Sequence, residues 1–137
     1  MQAYQSNVLK LSELAKFYKQ DLPLLTIEAM IIVLNDFVNV REEGKMSDRQ
    51  IQETARLLYS DFYFYNLAEL TLVFNRLKTG HYGSFFGRVD GVEILRAFRE
   101  YRKERGDAVL KAETPDPMPL MDRAKGILKL LDTNPKE

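Results

Sequence analysis

The only histidine of this chain, His81, stands in a glycine-rich loop. That loop is KTGHYGSFFGRVDG, Lys78 to Gly91, and it holds four of the seven glycines (Gly80, Gly83, Gly87, Gly91) with the aromatics Tyr82, Phe85 and Phe86. An imidazole serves as a general base when a carboxylate orients it and a hydroxyl supplies the nucleophile. Asp90 is the carboxylate close by in sequence, and Ser84 or Tyr82 the hydroxyl. Linear spacing lends that triad no support, and a histidine among glycines is more often an exposed or hydrogen-bonding loop residue. The expectation is a protein that is not an enzyme.

The glycines invite a nucleotide reading, which the spacing rejects. A phosphate-binding loop needs GxxxxGK[ST], with lysine and a hydroxyl opening the next helix. Here Gly83 opens GSFFGR, one residue short, and Val89 stands where the hydroxyl belongs. The dinucleotide fingerprint GxGxxG is absent. Without cysteine there is no disulfide, thiolate metal site or cysteine nucleophile, and one histidine rules out a multi-histidine metal site. The acids sit at turns and helix caps. Asp36 and Asp61 alone lie among apolar residues, as buried hydrogen-bonding carboxylates would. No metal and no cofactor is expected, and no small-molecule substrate is evident.

Charge points elsewhere. The 20 basic and 20 acidic residues cancel, so no global attraction to nucleic acid exists. Locally the balance breaks: Arg76 to Arg105 carries eight basic against four acidic residues, a net of +4, while residues 1–75 carry seven against ten, a net of −3. Arg96, Arg99 and Lys103 fall on neighbouring turns away from the Ile94 and Phe98 face, and Arg102 lies nearer the apolar edge. Arginine forks suit phosphates and carboxylates. The plain alternative is a solvated helix face with internal pairs such as Arg96–Glu100 and Glu100–Lys103. The candidate binding residues are therefore Lys78, His81, Tyr82, Phe85, Arg88, Arg96, Arg99, Arg102 and Lys103. The loop aromatics serve as a recognition surface if they point outward and as core plugs if they point inward.

The elements that position this loop read as helices throughout. Val8, Leu11, Leu14, Ala15 and Tyr18 recur at helical steps. Pro23 breaks the chain and Thr26 caps a second helix, Thr26–Arg41, whose apolar residues Ile27 to Val38 make it the central and most buried element. Ser47 with Gln50, Asn66 with Glu69, and Asp90 with Glu93 read as three further caps. DFYFYN, Asp61 to Asn66, is either a helix end or a short extended link. Gly106 ends the fifth helix, and the proline-bearing stretch Asp107 to Pro119 is a linker. Leu120, Ala124, Ile127, Leu128 and Leu131 support a last helix. The expected fold is a single all-α bundle of five or six helices with a Gly/aromatic-rich loop. Its parts are a helical core over 1–106, a linker over 107–119, and a C-terminal helix and frayed tail over 120–137. The N-terminal stretch lacks the apolar run of a signal peptide, and Ala29–Leu34 is too short to span a bilayer. A cytoplasmic protein without membrane contact is expected.

NDFVNV at Asn35–Val40, the segment Met46–Gly83, and DGVEILRAFREYRKERG at Asp90–Gly106 resemble small uncharacterised helical proteins of Bacteroides-type bacteria, their phages and mobile elements. In that group an aromatic-rich segment, a helix ending in a basic residue, a G-x-[FY]-G loop and a D-G-capped helix recur in this order. A looser similarity, at fold level only, is to phage proteins that load a replicative helicase. The resemblance implies a non-enzymatic DNA-replication accessory factor, contacting nucleic acid or a replication protein through the loop and the basic stripe. The alternative is a structural or adaptor protein acting through helical protein–protein contacts and self-association as a homo-oligomer.

Overall fold

A computed structural model describes residues 2–113 and Lys125. The fold is all-α. Two units divide the chain, Met1–Arg102 and Lys103–Glu137. The helices are α1 (Leu11–Phe17), α2 (Leu22–Phe37), α3 (Asp48–Phe62), α4 (Leu67–Thr79) and α5 (Gly91–Glu113), with short 3-10 turns at Ala3–Gln5 and Glu42–Gly44. α2 packs against α1, α3 and α4.

Two predicted caps have the expected chemistry. The Ser47 hydroxyl accepts from the Gln50 amide while the Gln50 side chain accepts from the Ser47 amide. Asn66 and Glu69 do the same for α4. Each box satisfies amides that a helix start leaves without partners. α1 has a different solution: its first amides, Leu11 and Ser12, donate to the Tyr65 and Tyr63 carbonyls of the DFYFYN segment. That segment is both helix end and link, since α3 stops at Phe62 and Tyr63–Tyr65 lead into α4.

The second helix departs from expectation. It spans Leu22–Phe37 rather than Thr26–Arg41. Pro23 sits buried in its first turn, where a missing amide hydrogen costs nothing and the fixed φ suits a helix. Thr26 is not a cap; its hydroxyl donates back to the Leu22 carbonyl. Gly44 closes a separate 3-10 turn. Only one side of α2 is buried, through Ile27, Ile31 and Leu34, whereas Leu25, Ile32, Val33 and Phe37 face solvent. The helix is a hub with an open face, not the most buried element.

The core centres on aromatics from α3, α4 and α5. Phe62, Tyr65, Phe74, Phe98 and Tyr101 meet with ring centroids 5.1–5.8 Å apart, mostly tilted or edge-to-face. Two buried hydroxyls fix α5 against them: Tyr65 donates to the Phe98 carbonyl at 2.9 Å, and Tyr101 donates to the Glu69 carboxylate at 2.7 Å. Gly106 does not end α5, which continues to Glu113, so the first residues of the expected linker are helical. The rest of that linker and the expected C-terminal helix lie outside the described residues, apart from Lys125, which is helical and exposed.

Gly44 and Gly106 separate two uses of glycine. A Cβ on Gly44 would collide with the Gly87 carbonyl oxygen, whereas one on Gly106 meets nothing within 4 Å. Gly44→Ala should lower stability by about 2 kcal/mol through enforced displacement of backbone. Gly106→Ala should raise helix stability by about 0.5–1 kcal/mol. Thermal unfolding followed by circular dichroism checks both, and a Gly44→Ala protein as stable as wild type would remove the close approach.

Candidate functional site

The loop between α4 and α5 is built from the end of α4 outward. Gly80 takes the left-handed conformation, φ 78°, and the His81 amide donates back to the Arg76 carbonyl, closing the helix in a Schellman turn. That geometry throws Tyr82 inward: its ring is buried and its hydroxyl accepts from Arg76 at 3.1 Å. Gly83 and Gly87 also have positive φ. At the far end the Asp90 carboxylate accepts from the Val92 amide at 2.9 Å and caps α5. A third anchor comes from outside the loop. The Val89 amide donates to the Gly44 carbonyl at 2.7 Å, so the α2–α3 connection holds the loop backbone. That connection is in turn fixed by buried Asn35, whose side-chain amide bonds both the N–H and the carbonyl of Met46.

Arg96 is the hub of the charges here. One guanidinium donates to Glu93 at 3.0 and 2.7 Å, to Glu100 at 2.6 Å, and to the Tyr82 carbonyl at 2.6 Å. Hydrogen bonding to Glu93, only partly opposed by desolvation and helped by the Glu93 and Glu100 charges, holds its proton affinity above the ordinary arginine value. The fork geometry explains the arrangement. Carboxylates three residues before and four after lie on the same helix face, and the remaining donor reaches the loop.

The predicted site residues are thus dispersed in role. Arg96 is a staple between helix and loop rather than a member of an open stripe, because its donors already have acceptors. Of the two pairs expected on that face, Arg96–Glu100 forms at 2.6 Å. Arg102 lies 4.5 Å over the Phe62 ring and donates to the Asp61 carbonyl, so it covers the aromatic core. Tyr82 plugs the core, and Phe85 is half-buried against it. His81 is exposed, its ring edge-on to Tyr82 at 4.8 Å, while Asp90 engages Val92 and, at 3.5 Å, Arg88. The triad weighed for His81 is not assembled. Arg88, Arg99 and Lys103 are exposed, with Lys103 opening the second unit. Lys78 turns the other way, its ammonium 5.8 Å from the Phe37 ring on α2.

Sequence reasoning missed three residues that matter here. Gly44 and Asn35 hold the loop from a distance, and neither has a local pattern that reveals a partner some 45 or 11 residues away. Glu69 was legible as a cap but not as the buried carboxylate, a role expected of Asp36 or Asp61; both of those are exposed. Among the described residues, no group of three or more His, Cys, Asp or Glu could hold a metal ion. No described helix is long and apolar enough to cross a membrane.

A family model matches residues 45–121, more than half of the chain. This chain belongs to DUF6633, a family of unknown function. The DUF6633 span contains α3, α4, the loop and the described part of α5; α1 and α2 lie outside it. No curated protein and no solved structure matches the chain.

If Arg96 staples the loop, Arg96→Gln should speed hydrogen exchange at the Tyr82–Phe86 amides while helical circular dichroism stays unchanged. Unaltered loop exchange in that variant would show the anchors at Gly44 and Gly80 to suffice.

Proposed function

We propose that this chain is a non-enzymatic protein-binding module whose working surface is the open face of α2. The observation that supports this most is the exposure of Leu25, Ile32, Val33 and Phe37, which are 52, 47, 52 and 60% accessible on a single helix. Scattered apolar residues on a surface need no explanation, but four large ones exposed on one helix, with Asp36 the exposed charge among them, suit a contact site. The internal use of Arg96, Arg102 and Tyr82 favours the adaptor reading over one based on a basic stripe. A photo-crosslinking residue at position 33, in the chain expressed in its native cells, should give protein adducts. The same residue at exposed Gln52 on α3 should not. No adduct at 33 beyond the level at 52 would sink this reading.

A second reading, a replication accessory factor touching single-stranded nucleic acid, is favoured by one observation. Phe86 is 89% exposed at the loop tip, with exposed Arg88 two residues on. An aromatic ring beside a cation is the pairing that stacks a base and neutralises a phosphate. Fluorescence anisotropy with labelled single-stranded DNA should show binding that weakens with salt, at a log–log slope of roughly −0.7 per phosphate neutralised. Phe86→Ala/Arg88→Glu should abolish it. Absence of binding at low salt removes nucleic acid from consideration.

A further inference from the structure

The exposed face of α2 has an internal order. Asp21, Leu25, Ala29, Val33 and Phe37 follow one another at four-residue steps, and all five are exposed. Such a row is a ridge of the helix surface, the element that interlocks when two helices cross at about −50°. Ala29 is its midpoint. About that point the row reads nearly the same in both directions: an apolar side chain one step away on either side, then the two ends. The ends differ in charge: exposed Asp21 stands at one, and at the other Lys78 lies over the Phe37 ring beside exposed Asp36.

We propose that a second copy of this chain covers this ridge, with the two α2 helices antiparallel and the two-fold axis at Ala29. This rests on the reading above that the α2 face binds protein. Four features carry it. The smallest side chain of the row lies where the two helices cross, which lets the backbones approach closely. A two-fold at Ala29 sets Leu25 of each copy against Val33 of the other, beside a recess of about 220 Å³ lined by Met30, Val33, Phe74 and Lys78. It also brings Asp21 of each copy to the Phe37 end of the other, where Lys78 offers it an opposite charge; such mutual pairing is the self-complementarity that an isologous contact requires. Finally, the chain has a formal net charge of zero, so no long-range repulsion opposes pairing.

The size is also suited to such a contact. The exposed parts of Leu25, Ile32, Val33 and Phe37 come to roughly 400 Å², comparable to the largest apolar patch on a typical monomer. A standard interface buries ~800 Å² per partner, somewhat more than half of it apolar, so the apolar share is of the right size.

Sedimentation velocity and light scattering on this 137-residue chain test this directly. The expected result is a concentration-dependent dimer whose dissociation constant rises at least about tenfold in Val33→Glu, with circular dichroism unchanged. Asp21→Lys and Lys78→Asp should each weaken the dimer several-fold, and the chain carrying both should regain it. That rescue distinguishes register from general loss of fold, because a damaged fold is not repaired by a second charge reversal. A monomer at every soluble concentration overturns the proposal, while protein adducts to a different partner at position 33 would leave the broader reading standing. A dimer indifferent to Val33→Glu, or one that the double reversal fails to restore, places the two-fold elsewhere and overturns it as well.

Discussion

The fold depends on a carboxylate with no access to water. Glu69 is fully buried, and a polar group in that position is tolerated only when hydrogen bonds replace its hydration. The Asn66 amide and the Tyr101 hydroxyl supply two of them. The first ties the carboxylate to the start of α4 and the second to the middle of α5, so one side chain sets the relation of these two helices. Asn66 extends the arrangement, donating from its side chain to the Ala3 carbonyl and so binding the N-terminal turn. Tyr65, one residue earlier, reaches the Phe98 carbonyl and reinforces the same docking. Once α5 is placed, Arg96 is placed with it, and through the Tyr82 carbonyl so is the loop.

The local excess of positive charge has a structural use that composition conceals. Arg76 supports the Tyr82 hydroxyl, Arg96 gathers two carboxylates and a loop carbonyl, and Arg102 lies over Phe62 and Phe64. These are the geometries that favour arginine over lysine: a planar fork with several donors, and a flat cation that stacks on rings. Local net charge therefore overstates what the surface offers to a ligand. The exposed cations that remain, Arg88, Arg99 and Lys103, are a smaller set than the sequence suggested.

Helix class, the three caps and the loop were legible because their causes are local. A capping box spans four residues, and of the four glycines clustered in the loop Gly80, Gly83 and Gly87 take positive φ. Ser47 and Asn66 act with the partners the pattern gave them, whereas Asp90 caps α5 through the Val92 amide and its expected partner Glu93 pairs with Arg96 instead. The start of α2 was misplaced because proline has opposite effects at a first turn and in a helix interior, and sequence alone did not say which applied to Pro23. Burial was harder still. Ile32 and Val33 are exposed although they sit in the most apolar run of the chain, since side-chain type does not state which face has a neighbour. Likewise the inward turn of Tyr82 and the role of Gly44 come from contacts between segments far apart in the chain.

The contact between Gly44 and the Gly87–Val89 backbone implies an order of assembly. α2 packs against α1 and α3, its neighbours in sequence, and such contacts form early because little chain entropy is lost in closing them. The Val89 amide finds the Gly44 carbonyl only after the intervening helices have docked, and the atoms nearest Gly44 there are the backbone of Gly87 and Arg88. It is the last clasp to close and, by the same reasoning, the first to open. Partial unfolding would free the Gly87–Val89 backbone while Tyr82, buried and held through Arg76 and Arg96, keeps the start of the loop on the aromatic centre.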